Sequence, residues 1–129
     1  MKDYLDGKQR PPILEFLDIE VVALEPGSAR LRLAARAELA NAMGTLHGGV
    51  LCDLGDAAMG YALAATLGPN ESFATVELSI RYFKSVRDSV LEARARVVNR
   101  SKRLTYLECD IFNDQDELVA RLASTCMFR

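Results

Sequence analysis

The chain is poor in the residues that most protein chemistry relies on. It has one histidine, no tryptophan and three cysteines, Cys52, Cys109 and Cys126, widely spaced and set among apolar residues. A single His with no clustered Cys offers no zinc site, so no metal is expected. An odd number of scattered cysteines fits reduced core thiols in a cytosolic protein better than a disulfide framework. There is no GxSxG elbow, which argues against an ordinary serine hydrolase. An excess of basic charge is missing too: the net charge is −2 and the pI about 5.4, against what a dedicated nucleic-acid binder usually shows. The opening residues, Met1 to Gly7, lack the apolar core of a signal peptide, so a cytoplasmic location is expected. Val50–Leu67 is long and apolar, but Asp53 and Asp56 fall in one mid-span turn. Each would cost about 2.5–3.5 kcal/mol in lipid, which argues against a membrane span.

What is present is a soluble-type composition, half hydrophobic and 26% charged, over 129 residues, enough for one domain with one core. Its centre is Asn41–Leu67, NAMGTLHGGVLCDLGDAAMGYALAATL. A polar turn runs into His47-Gly48-Gly49, and an Ala-, Leu- and Met-rich stretch follows with no proline until Gly68-Pro69-Asn70. The cheapest conformation over 47–67 is a helix that the rest of the domain must wrap.

Residues 1–16 read as an N-terminal extension, frayed or shortly helical, with Pro11-Pro12 near its end. Two alternating runs, Leu17–Glu25 and Ser28–Arg36, flank Pro26-Gly27 and form a hairpin. After the helix, four more alternating runs begin at Thr75, Val90, Leu104 and Leu118. In the first, Val76, Leu78, Ile80 and Tyr82 are expected on the covered face. Strands apolar on one parity want one covered face. The expected fold class is therefore α+β, a curled antiparallel sheet of five to six strands around one long helix. On the outer parity, Glu92, Arg94 and Arg96 face Glu108 and Asp110 in neighbouring runs and are expected to pair.

Two features of the central stretch need a chemical account. Gly48 and Gly49 stand where backbone N–H groups lack internal partners and the helix dipole is positive. They either admit a ligand oxygen or allow close packing of loop on sheet. Asp56 leaves an apolar part of the helix, where an ionised carboxylate needs partners or water; with Asp53 it marks either a wet stripe or a working acid. His47 and Asp56 are nine residues apart, about 13.5 Å of helical rise and half a turn out of phase. If both belong to one site, two subunits must share it, and a two-fold dimer would supply two such sites.

The pattern Asn41-x-x-Gly44-Thr45-x-His47-Gly48-Gly49, with Asp56 nine after the His, resembles the hotdog-fold acyl-CoA thioesterases of the phenylacetate-degradation (PaaI-like) type, and the element order matches from about Leu17. The resemblance implies hydrolysis of acyl-CoA or aryl-CoA thioesters by a homodimer or dimer of dimers. Coenzyme A is then part of the substrate and no separate cofactor is needed. It implies Asp56 as base or nucleophile, Gly48 N–H and Asn41 on the thioester oxygen, and Thr75 holding the attacking water. His47 is given to positioning ahead of proton transfer, and Gly49 to substrate contact. Many relatives have Pro after a basic residue following that strand, whereas Lys84 is followed by Ser85. Lys84 and Arg87, with Arg100, Lys102 and Arg103, are candidates for the coenzyme A phosphates or plain surface charges. Two rival readings share the fold: a non-catalytic acyl-CoA binding or sensing module, and a hotdog dehydratase or hydratase.

Overall fold

The computed structural model describes residues 2–129. Two short helices, α1 (Lys2–Leu5) and α2 (Pro12–Leu17), precede the hairpin of β1 (Glu20–Glu25) and β2 (Ser28–Ala34). A 3₁₀ turn (Ala37–Leu39) leads to the central helix α3 (Gly48–Ala64). Four strands follow: β3 (Phe73–Tyr82), β4 (Val90–Arg100), β5 (Leu104–Phe112) and β6 (Leu118–Phe128). They form one six-stranded antiparallel sheet in the order β1-β2-β4-β5-β6-β3.

Helix α3 links two strands at opposite sides of the sheet, so it must cross the concave face. Its Leu51, Leu54, Ala58, Ala62 and Leu63 are buried against Leu31, Leu33, Leu91, Leu107 and Ile111 from the strands. Where α3 lies closest, side chains run out of room. A Cβ on Gly55 would stand 2.5 Å from Leu122 Cδ2, so only glycine lets the helix settle there.

The hairpin forms at Pro26-Gly27, with Gly27 at φ +87, the left-handed conformation a tight turn requires. Of the outer-face charges, Arg96 pairs across strands with Glu108 at 2.7 Å as expected, whereas Arg94 pairs with its own-strand neighbour Glu92 at 2.8 Å and Asp110 takes Arg121 at 2.7 Å. Such exposed pairs contribute at most about 1 kcal/mol each.

Three expectations need correction. The first strand does not begin at Leu17, because Pro12 opens a helical turn that Asp18 closes at φ 57. A bulge between Val21 and Ala23 then shifts the alternation, so that Val21 and Leu24 both pack on the core. A second bulge, between Thr75 and Glu77, leaves Val76 54% exposed, and Tyr82 at the far end is also half exposed. Helix α3 ends at Ala64, before Gly68-Pro69, where Thr66 turns its N–H and Oγ1 back to the Leu63 carbonyl.

Candidate active site

The start of α3 is built by an interlocked turn. Asn41 Oδ1 accepts from the N–H groups of Met43 (2.9 Å) and Thr45 (3.2 Å), and its Nδ2 donates to Thr45 Oγ1 at 2.9 Å. Gly44 takes φ +82 to close the turn, and Arg87 donates to the carbonyls of Gly44 and Met43. Asn41 therefore shapes its own loop and keeps one amide hydrogen uncommitted. Arg87 is engaged in the same loop, and Lys84 forms an ion pair with Glu117 at 3.1 Å.

His47 caps the helix. Its Nδ1 accepts from Gly49 N–H at 3.0 Å, which puts the neutral ring's proton on Nε2. With Gly49 engaged and Val50 N–H donating to the His47 carbonyl, the Gly48 N–H has no acceptor among the described residues. It is the free donor at the positive end of the dipole. The Gly48 carbonyl accepts from Tyr82 Oη at 2.8 Å, and a Cβ on Gly48 would stand 2.9 Å from that oxygen. Tyr82 Oη also lies 3.5 Å from Cys52 Sγ; desolvation and then Cys52 push its pKa up to about 12, so it stays a donor.

Asp56 lies further along the helix. It opens into an apolar groove of about 370 Å³, with Asp53 beside it and Thr75 on β3 in the same wall. Burial, and secondarily the charge of Asp53, raises the Asp56 pKa; burial alone raises that of Asp53. Thr75 Oγ1 lies 3.6 Å from Cys126 Sγ.

The structure thus gathers Asp56 and Thr75 into one groove. It gathers Asn41, His47, Gly48, Gly49 and Lys84 into another, of about 550 Å³, and no residue lines both. Tyr82 and the aromatic walls of the Asp56 groove, Tyr4, Tyr61 and Phe73, had no functional signal in the sequence. Tyr82 sits 34 residues from the carbonyl it braces, and nothing in local spacing reports such a contact.

A family model described as "Thioesterase superfamily" matches residues 43–120. The chain belongs to the thioesterase superfamily. The structure of a single-residue variant of the phenylacetic acid degradation protein PaaI from Thermus thermophilus is 31% identical, with a TM-score of 0.84 over 91% of this chain and 98% of that one. The conserved protein PA5202 from Pseudomonas aeruginosa is 30% identical, with a TM-score of 0.89 over 95% and 98%. A 1,4-dihydroxy-2-naphthoyl-CoA hydrolase from Listeria monocytogenes is 26% identical over 105 residues, 81% of this chain and 85% of the relative. The six-stranded sheet around α3 is the hotdog fold of the thioesterase superfamily, and the protein is a thioester hydrolase. Among the described residues, no helix of the thioesterase is long and apolar enough to cross a membrane.

Proposed function

We propose that this thioesterase hydrolyses acyl-CoA or aryl-CoA in the cytoplasm, at sites completed by two copies of the chain. One copy supplies Asp56 and Thr75, and the other supplies the Gly48 N–H with Asn41 and His47. The observation that carries this reading is the separation of the two half-sites. Gly48 and Asp56 lie on one uninterrupted helix, about 12 Å apart along its axis, and the two half-sites line different cavities. Each half alone is chemically incomplete: one has an acid without an oxyanion donor, the other a donor without an acid.

Brought together across a two-fold axis, they hold what thioester cleavage needs. The Gly48 N–H polarises the carbonyl and takes the developing oxyanion. Asp56 either removes a proton from a water held by Thr75 or attacks the carbonyl carbon itself. Both routes consume one water and release the acid and the thiol. A thiol is far more acidic than an alcohol (about 8.5 for the cysteine side chain), so coenzyme A departs as thiolate with little acid assistance, and one carboxylate and one oxyanion site suffice. The raised pKa of Asp56 brings it closer to the value a general base needs near neutral pH. Coenzyme A enters only as part of the substrate, as in the Listeria relative's named reaction.

Mixed dimers test the shared site. Asp56→Asn and a Gly48→Val variant should each be inactive as homodimers, and co-assembled heterodimers should regain one working site. Heterodimers of verified composition that stay inactive would overturn the shared arrangement.

A further inference from the structure

The segment from Lys2 to Gln9 is attached to the protein by side chains alone. Its backbone hydrogen bonds close on themselves: Asp6 N–H to Lys2, Gly7 to Tyr4, and Lys8 and Gln9 to Asp3. The first anchored residue is Arg10, whose guanidinium donates to Asp18 at 2.9 Å and to the Ile19 carbonyl at 3.3 Å. Before it, Tyr4 and Leu5 hold α1 down by packing on the core, and both line the groove that contains Asp56 and Thr75. Ile13 of α2, Tyr61 of α3 and Phe73 of β3 complete that apolar wall. Among the described residues, the only charged ones lining the groove are Asp53 and Asp56.

We propose that Tyr4 and Leu5 form a wall of the acyl pocket and fix the largest acyl group this thioesterase accepts. The proposal rests on Asp56 as the catalytic carboxylate, since that makes the groove the place where the acyl chain lies. A wall held by two side chains, with no ladder hydrogen bond behind it, sets pocket length by bulk; changing the bulk leaves the sheet intact. The pocket takes an uncharged apolar acyl group. A dicarboxylic chain would bring a second carboxylate among Tyr4, Leu5, Ile13 and Phe73, where no cation among this chain's described residues lines the groove.

The test is thiol release from straight-chain acyl-CoAs, butanoyl to hexadecanoyl, by the unsubstituted protein, the double variant Tyr4→Ala/Leu5→Ala and the single variant Tyr4→Trp. The double variant should raise the ratio of kcat/KM for dodecanoyl-CoA over hexanoyl-CoA roughly tenfold, and Tyr4→Trp should lower it, because methylene-scale changes in apolar pockets act on this scale. Calorimetric binding of the same series to Asp56→Asn, with and without the Tyr4 changes, reads the wall without turnover. Ratios that do not move in either readout, or losses spread evenly over all lengths, overturn the wall. Length-selective binding that follows Tyr4 in a wild type releasing no thiol would keep the wall and remove the hydrolase reading. Absence of both binding and turnover across the series would overturn the two together.

Discussion

The hydroxyl of Tyr82 donates a 2.8 Å hydrogen bond to the carbonyl of Gly48, tying the end of edge strand β3 to the first turn of α3. The peptide that presents the free Gly48 N–H is thereby held through its neighbouring carbonyl. Tyr82→Phe removes a bond worth about 1 kcal/mol, and a several-fold loss in kcat is expected with little change in KM. Gly48→Ala forces the Tyr82 ring away, since its Cβ would stand 2.9 Å from Oη and 3.0 Å from Cζ. Both variants lose the same contact, so their effects on kcat should be clearly less than additive in a double-mutant cycle. Full additivity would show that Tyr82 does not act through Gly48.

The acid limb of the pH profile should report Asp56. Its folded pKa is raised, first by burial and then by Asp53, so kcat/KM should fall with decreasing pH at values above the ordinary carboxylate range near 3.9. Asp53→Asn removes the Coulombic part and should move that limb to lower pH while leaving its shape. An unmoved limb in the Asp53 variant would mean the two carboxylates are not coupled.

The same shift has a stability consequence of opposite sign to the usual carboxylate. A group whose folded pKa lies above its unfolded value binds more protons when folded, so its contribution declines as pH rises through that interval. Asp56→Asn is therefore expected to raise the melting temperature at pH 8, with the gain shrinking toward pH 4. Thermal melts of the two proteins across pH check it; a gain that grows in acid would contradict the assigned direction.

Thr105 is 1% exposed and its Oγ1 has no hydrogen-bond partner among the described residues. Thr105→Val keeps the shape and removes the unpaired hydroxyl, which should stabilise the protein by about 1 kcal/mol, or roughly 3–6 °C. Gly55→Ala should do the reverse. Its Cβ would meet Leu122 at 2.5 and 2.8 Å, and overpacking of this kind costs about 1–3 kcal/mol. Differential scanning calorimetry on both variants separates a hydroxyl effect from a packing effect.

The central helix and the antiparallel order were legible because both rest on periodicity, and periodicity is local. The glycines at the start of α3 and the carboxylate within it could be read as a pair of requirements. What the linear pattern could not reveal was where a ladder slips. Val76 fits the covered parity in the sequence, but the bulge at Thr75/Glu77 makes it the extra residue and turns it out. Arg87 reads as a candidate for the coenzyme A phosphates or a plain surface charge, yet its partners are carbonyls more than 40 residues away, set by how the loop folds back. The N-terminal residues show no periodicity at all, so their place beside Asp56 is purely tertiary. The resemblance to thioesterases pointed to Thr75 only by counting along the strand; in the structure Thr75 lines the groove at Asp56.

Helix α3 also acts as a rigid ruler. Its length keeps Asp56 and the Gly48 N–H of one chain from ever touching the same atom, whatever the loops do. On the shared-site reading an isolated chain is inert, and turnover per milligram should collapse on dilution, falling with the square of concentration in absolute rate once the assembly dissociates. Protein abundance would then set catalytic output more steeply than in proportion, with no effector needed.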